Sequence, residues 1–534
     1  FLFPMTGLAQ TGIPSAMIGS AGGQALRTFL RSNPGRPVDL DPNLFAVAFD
    51  PNFVAYFSSF GPSIGDSLLK PEVAAPGYSL YMATQRFDPN GDMYSPSGYV
   101  AAEGTSFAAP IAAGAAALFK QRVRQATPGQ VKSAVVNSAS AVVQDVDSGG
   151  RAIRASSLGV GAGLVNAEGA AEPGLTFEPA TISFGVLNAT GVPVSRTLRV
   201  SNVSGGVAQV QLTARNLGAD RNARVTLSES NFVLSNGQSR QLTVRLEGTA
   251  PAAGAHEGEI QVTAGRASYR IPYLYLLGDG AVANLIPLRG SNFDAPVDQA
   301  IRLLFKAVDR FGVPVANLPV RYRATLGDGR VDVAFPSTDG LGIGEARVVL
   351  GPRVGAQEFE AEADGLTIRF PGYGRLLPAI ATNGIVPADN AQQFRVAAPG
   401  SYVSIFGRNL SDLTKVFSTP YLPLSLGGVS VSFDVPERRI SVPGRIHFVS
   451  EGQVNVQVPW ELQGITQAQV KVSIGNTSSA IYRLTLNDIS PGFFEFPDPQ
   501  TGRLLIAALD SSFRLITQAA GAEPGAVVQL FANG

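Results

Sequence analysis

The sequence predicts a multidomain chain, α/β in its opening third and all-β beyond it. Three observations carry this. Gly104-Thr105-Ser106 opens into Phe107-Ala108-Ala109-Pro110-Ile111-Ala112-Ala113-Gly114-Ala115-Ala116-Ala117-Leu118-Phe119, a run with almost no polar side chain before Lys120, which reads as a helix buried on every side. From about Ala171 short segments alternate polar and apolar residues between turn residues, the signature of half-buried strands. At 534 residues the chain is too long for one hydrophobic core.

Composition narrows the function classes. Lys+Arg and Asp+Glu both number 41, so the net charge is zero and no basic stripe points to nucleic acid or an anionic membrane surface. Cysteine is absent, which removes disulfides, thiol chemistry and cysteine zinc sites together and is compatible with export. The 59 glycines and 37 prolines, with only 15% charged residues, suit many turns between strands rather than long surface helices. No apolar run is long enough for a transmembrane segment. The chain opens on Phe1 rather than Met and stops within what reads as strand and turn, so a piece of a longer polypeptide is expected.

Taken in order, residues 12–18 read as a strand and 23–30 as a short amphipathic helix. Val73-Ala74-Ala75 is a short buried-strand candidate. Ser106 sits where a loop turns into the apolar helix, beside unpaired backbone N–H groups and the positive end of the helix dipole. That place suits an oxyanion next to a nucleophile; it is equally the place of an ordinary N-cap serine on a core helix. Thr127-Pro128-Gly129-Gln130 has a capping-box pattern with proline at the first helical position, and a second helix follows over 131–139. Residues 151–157 form a polar connector. Asp145-Val146-Asp147-Ser148-Gly149-Gly150 superficially suggests a calcium loop but lacks the spacing and terminal glutamate of an EF-hand, and reads as a solvated loop.

The Gly104–Pro110 stretch, opening a helix of small residues, resembles the nucleophile motif of subtilisin-like serine proteases (subtilases). Upstream, Tyr56-Phe57-Ser58-Ser59-Phe60-Gly61-Pro62 and Leu69-Lys70-Pro71-Glu72-Val73-Ala74-Ala75-Pro76-Gly77 are similar to the F-S-S-x-G-P and L-K-P-D-[IV]-x-A-P-G segments that precede that serine. Gly161-Ala162-Gly163-Leu164-Val165-Asn166-Ala167 resembles the family's closing G-x-G-x-[VI]-[ND]-A. The resemblance implies that 51–170 is the C-terminal part of a subtilase catalytic domain, a parallel α/β sheet with helices on both faces, and that 1–50 is the remnant of a protease-associated (PA) insert. It implies Ser106 as nucleophile and backbone oxyanion donor. Gly104 would let the chain approach closely, Thr105 would fix the turn, and Pro110 would fit the first helical turn. Protein or peptide substrates and a secreted or cell-surface location follow from the same resemblance. Calcium is a family cofactor to which no residue is assigned here; no metal site and no other cofactor is expected.

Beyond the closing motif three β-rich modules are expected. Residues 171–280 read as an Ig- or fibronectin-III-like sandwich, with alternation in Ala208-Gln209-Val210-Gln211-Leu212-Thr213 and Leu242-Thr243-Val244-Arg245-Leu246. Residues 281–375 form a second sandwich, whose Asp309-Arg310-Phe311-Gly312-Val313-Pro314-Val315 resembles the opening of bacterial Ig-like surface modules. Residues 376–534 look like a truncated β-rich C-terminal domain of large secreted proteins of soil bacteria. Through these modules contacts with a cell surface or matrix are expected. Asp309 and Glu451 read as turn or surface residues, and the Asn-x-Ser/Thr triplets at Asn188, Asn202, Asn409 and Asn476 match a short, chance-prone glycosylation pattern.

Acyl transfer by serine needs a base and a carboxylate to orient it. His256 and His447 are the two histidines of the chain. Both follow the closing motif, whereas the family order is Asp, His, Ser, so neither reads as the base. Asp, His and the oxyanion Asn are expected upstream of Phe1. The expectation is a subtilisin-like serine endopeptidase represented by its nucleophile-bearing part and accessory modules, with this chain inactive alone. The alternative is a non-catalytic surface or adhesion protein with a degenerate protease domain.

Overall fold

The computed structural model describes residues 20–37, 52–89, 91–147, 150–187, 192–389, 396–417 and 419–534. The chain divides into two compact units, Phe1–Pro51 and Asn52–Gly534. In the first, helix α1 spans Ser20–Ser32 and covers the expected 23–30 helix. Asn33 closes it, its backbone N–H and its side-chain amide both donating to the Phe29 carbonyl at 2.9 Å. The strand expected at 12–18 lies outside the described residues.

The second unit opens with the motif-bearing segment. Helix α2 is Thr105–Arg122, α3 is Pro128–Asn137, α4 is Ser157–Val160 and α5 is Ala167–Ala171. The capping box forms as its sequence dictates: Thr127 Oγ1 accepts from the Gln130 N–H at 3.2 Å, and Gln130 Oε1 accepts from the Thr127 N–H at 3.0 Å. Two expectations need correction here. The parallel sheet expected within 51–170 is not present among the described residues. Strands Leu80–Ala83 and Tyr99–Ala102 pair antiparallel, as do Gln144–Val146 and Ala152–Arg154. Val73 and Ala74 make only single bridges, to Gly161 and Leu164, because Pro76 and Gly77 end the extended run before a ladder can grow. The second correction concerns α2. It buries Ala115 and Phe119 against α3 and α5, while Ile111 and Leu118, on the flank of that face, are 38% and 46% exposed. Among the described residues only one face of this apolar helix has something packed on it.

Residues 175–277 make a two-sheet sandwich. One sheet runs Asn231–Leu234, Ala208–Asn216, Gly254–Ala264, Ala267–Leu277, Ile182–Val186; the other runs Leu175–Glu178, Val194–Asn202, Ser239–Gly248, Ala223–Leu227. The alternation read from sequence is the inward set: Val210, Leu212, Leu242, Val244, Leu246, Ile260 and Val262 are buried between the sheets. A second sandwich of two four-stranded sheets follows over 284–375, and a third over 379–486; short two-stranded pairs occupy 492–533. Among the described residues no helix is long and apolar enough to cross a membrane.

The first sandwich is welded to the motif segment by buried polar groups. The Asn137 side-chain amide donates to the carbonyls of Ala180 and Arg270, both at 2.8 Å. Its oxygen accepts from Ser133 Oγ at 2.7 Å, and Ser133 Oγ accepts from the Phe177 N–H at 2.6 Å. Glu257 takes the Ser156 hydroxyl at 2.5 Å and the Ser157 N–H at 2.6 Å, at the start of α4. Linkers in a beads-on-a-string chain have few such contacts; here α3 is a shared layer, with α2 on one side and the sandwich on the other.

Candidate active site

Two upstream motifs reach the start of α2. The Gly104 N–H donates to the Gly77 carbonyl at 2.8 Å, which ties the A-P-G turn to the helix. A Cβ on Gly77 would lie 2.9 Å from the Gly104 carbonyl oxygen and 3.2 Å from Ala108 Cβ, so close approach is the requirement at Gly77. At Gly104 the requirement differs from the expected one. Its φ of 145° and ψ of 153° are a glycine conformation, while a Cβ there would meet nothing nearer than 3.6 Å. From the F-S-S-x-G-P side, the Tyr56 hydroxyl donates to Glu103 Oε1 at 3.3 Å. Desolvation and the Glu103 carboxylate both push the Tyr56 pKa up.

Ser106 is the second residue of α2 and is exposed. The first N–H groups of a helix have no intrahelical acceptor, so the backbone around Ser106 presents donors and the positive end of the dipole. Thr105 is likewise exposed, and neither side chain caps the helix. Pro110 is the sixth residue of α2, beyond the first turn where it was expected. Its missing N–H therefore removes the i+4 donor from the Ser106 carbonyl, and the helix continues regardless to Arg122.

The scaffold under this turn is held by Glu72, which the sequence reading passed over. Glu72 accepts from Lys70 Nζ and Lys132 Nζ, both at 2.7 Å, and from Thr181 Oγ1 of the first sandwich at 3.1 Å. Burial opposes its ionisation, but the hydrogen bonds from Lys132 and Lys70 outweigh that and hold its pKa below the ordinary carboxylate value. The closing motif locks onto the same strip. The Ala162 N–H donates to the Glu72 carbonyl at 2.9 Å, the Val165 N–H to the Ala74 carbonyl at 2.7 Å, and a Cβ on Gly161 would overlap the Glu72 backbone. The only sequence signal for Glu72 was its place in the L-K-P-[DE] segment.

No base stands beside Ser106 among the described residues. His256 is buried, its Nε2 at 2.8 Å from the Ala252 carbonyl and its ring stacked on Tyr275 at 4.9 Å. His447 lies in strand Arg445–Val449 of the third sandwich. The lysines of residues 52–170 are engaged elsewhere: Lys70 and Lys132 with Glu72, and Lys120 with the Ala126 carbonyl at 2.8 Å. Asp309 is a buried turn residue, accepting from the N–H groups of Phe311, Val313 and Asp279, each at 2.9 Å. Glu451 accepts from the Asn409 N–H at 2.8 Å. Asn202 is buried and donates to the carbonyls of Gly206 and Leu234, which leaves no room for a glycan. Asn188, Ser148 and Gly149 lie outside the described residues, and among the described ones no cluster of His, Asp and Glu is arranged to hold a metal.

Comparison with known proteins agrees with this segment's motifs. Residues 28–163 match the subtilase family, starting within the stretch read as a PA remnant. Subtilisin-like protease SBT3.4 of Arabidopsis thaliana is 44% identical over 134 residues, covering 23% of this chain and 16% of that protein. SBT2.5 of the same plant is 35% identical over 148 residues, covering 23% of this chain and 17% of that protein. The chain thus spans about one sixth of the length of the curated relatives it matches. Among solved structures, the D00-D0 domain of intimin aligns at 14% identity and TM-score 0.17 over 38% of this chain and 99% of that one. Invasin, a bacterial integrin-binding protein, aligns at 12% and 0.18 over 67% of each. Likenesses that weak identify no fold. The subtilase relationship of residues 28–163 is what the comparisons establish.

Proposed function

We propose that the motif segment is the nucleophile-bearing part of a subtilase catalytic domain and that the intact protein is a subtilisin-like serine endopeptidase. The observation that carries this reading is an exposed serine at a helix start whose turn is tied to two of the upstream family motifs, with the closing motif locked onto the strip beneath, within residues matching the subtilase family. In the intact enzyme Ser106 Oγ attacks the scissile carbonyl of a protein or peptide substrate. Its own N–H, beside the dipole's positive end, stabilises the oxyanion; the base takes the serine proton and passes it to the departing amine as the peptide C–N bond breaks, and water then hydrolyses the acyl ester, freeing the carboxyl product and the serine hydroxyl. The base, its carboxylate and an oxyanion Asn are supplied by residues outside this chain, and a parallel sheet covers the exposed face of α2. The PA remnant at 1–50, the modules at 171–280, 281–375 and 376–534, the secreted or cell-surface location and attachment through the β modules belong to the same proposal. A degenerate protease domain in an adhesion protein is the second reading, favoured by the lack of a base beside Ser106 among the described residues.

Peptide hydrolysis by the longer protein containing this chain, with Ser106→Ala beside the parent, separates the two. The protease reading expects a loss of several orders of magnitude with an unchanged melt. A folded Ser106→Ala protein cleaving at the parent rate ends it. The present chain alone is expected to resist labelling by a fluorophosphonate, since no histidine or lysine among the described residues is bonded to Ser106 as a base.

A further inference from the structure

The outer face of the second sandwich carries a charge in an unexpected place. In strand Ala300–Val308, Leu303, Phe305 and Ala307 point into the core, so Arg302, Leu304, Lys306 and Val308 belong to the other face. Arg302 is exposed there and pairs with Glu345. Lys306 is only 3% exposed and Val308 5%. A lysine is rarely buried without a partner built for it. Its partner is the carbonyl of Ile64, which accepts from Lys306 Nζ across 242 residues of sequence. Burial pushes the Lys306 pKa down, with the carboxylates of Asp339 and Asp66 opposing that.

Two further contacts fall on the same loop. Gly312, with φ 79°, leaves no space for a side chain because a Cβ would lie 2.9 Å from the Pro62 ring. Val313 packs with Leu69 and with Leu274 and Leu276 of the first sandwich in one buried cluster. Loop 62–69 is internally a small cage. The Ser63 N–H donates to the Leu68 carbonyl at 2.9 Å, the Ser67 N–H to the Ser63 carbonyl at 3.2 Å, and the Leu68 N–H to Ser63 Oγ at 2.9 Å. Beyond Leu69 the chain runs directly into Glu72 and Gly77, the strip on which the α2 turn rests.

We propose that the second sandwich is a clamp on the motif segment: Lys306, Gly312 and Val313 form a docking surface whose partner is loop 62–69 of the same chain. The module is then part of the platform beneath the α2 turn rather than a spacer. This rests on contacts alone and is independent of the protease reading.

Amide hydrogen exchange on the full 1–534 chain tests it with Lys306→Met, Lys306→Glu and, as control, Arg302→Met. Losing a charge-assisted hydrogen bond makes exchange at Ser67 and Leu68 at least about tenfold faster in Lys306→Met. Lys306→Glu, which sets a carboxylate beside Asp66 and Asp339, has the larger effect. Core amides at Phe305, Ala346 and Val348 keep their parent rates, and Arg302→Met leaves the loop unchanged. Unaltered loop exchange in both Lys306 variants overturns the clamp. So does an equal acceleration of loop and sandwich core, which would make Lys306 a determinant of module stability only, or an Arg302→Met effect on the loop matching that of Lys306→Met.

Discussion

Asn137→Ala is the sharpest probe of the weld between the motif segment and the first sandwich. Asn137 is 1% exposed and Ser133 is also 1% exposed. Truncation removes three hydrogen bonds at once, from the amide to Ala180 O and Arg270 O and from Ser133 Oγ to the carboxamide oxygen. A buried group stripped of its partner costs about 1–3 kcal/mol, and carbonyl oxygens with a second lone pair fall at the low end. The total expected is about 3–5 kcal/mol, with a small cavity term added. Ser133→Ala should cost less on its own, about 1–2 kcal/mol, through the lost acceptor for the Phe177 N–H. Because the two side chains share one network, the double variant should lose at least about 0.5 kcal/mol less than the sum of the singles. Urea unfolding monitored by hydrogen exchange at α3 and at strand Ala267–Leu277 reads both elements in one experiment, which matters because a multidomain chain is not two-state. If Asn137→Ala cost under about 1 kcal/mol, or opened α3 while that strand kept full protection, the shared-layer argument would fail.

Three more outcomes are expected. Gly77→Ala forces its Cβ to within 2.9 Å of the Gly104 carbonyl oxygen and should destabilise the α2 turn by about 1–3 kcal/mol, read as faster exchange of the Gly104 amide; parent-like exchange would refute the close approach. Glu72 has a folded pKa below its unfolded value, so its contribution is present above the unfolded pKa and lost as pH falls through the folded one; acid titration of the parent should show a loss of stability below about pH 4 that Glu72→Gln lacks, and superimposable profiles would remove Glu72 from the account. Leu118→Gln, at a 46% exposed position, should change the melt of this chain by less than about 1 kcal/mol while reducing dye binding to exposed apolar surface; a large stability loss would mean that something described here packs on that face.

Local signals in the sequence were the most legible. The capping box at Thr127–Gln130, the alternation around Val210 and Val244, and the turn role of Asp309 all involve groups within a few residues of each other, so spacing alone specifies them. The roles of the glycines were legible only in part. That glycine is needed near Ser106 follows from the motif, but which glycine serves conformation and which serves close approach depends on Gly77 meeting Gly104, a contact between separate segments. Asn137 and Lys306 were not legible at all, and Glu72 only by its place in a motif, because their partners Arg270, Ile64 and Thr181 lie far along the chain. A single sequence has no period that reports such pairs.

The helix that carries Ser106 shows how these levels meet. Its apolar run predicts burial on every side, and the structure satisfies that on one side only: Phe119 and Ala115 are sealed against α3 and α5, whereas Ile111 and Leu118 are open. Propensity is no explanation for an exposed Ile and Leu one above the other on a helix otherwise built of Ala and Gly. Such small residues let another layer approach closely, and the two larger ones would then fill the gap between layers. The serine at the head of this helix is therefore placed at a junction: its turn is set by Gly77 and Gly104, its helix is braced through α3 by the first sandwich, and the helix's flank at Ile111 and Leu118 is apolar and exposed. An exposed serine braced from behind, on a helix whose flank is apolar and open, is a position that a further layer of protein could complete.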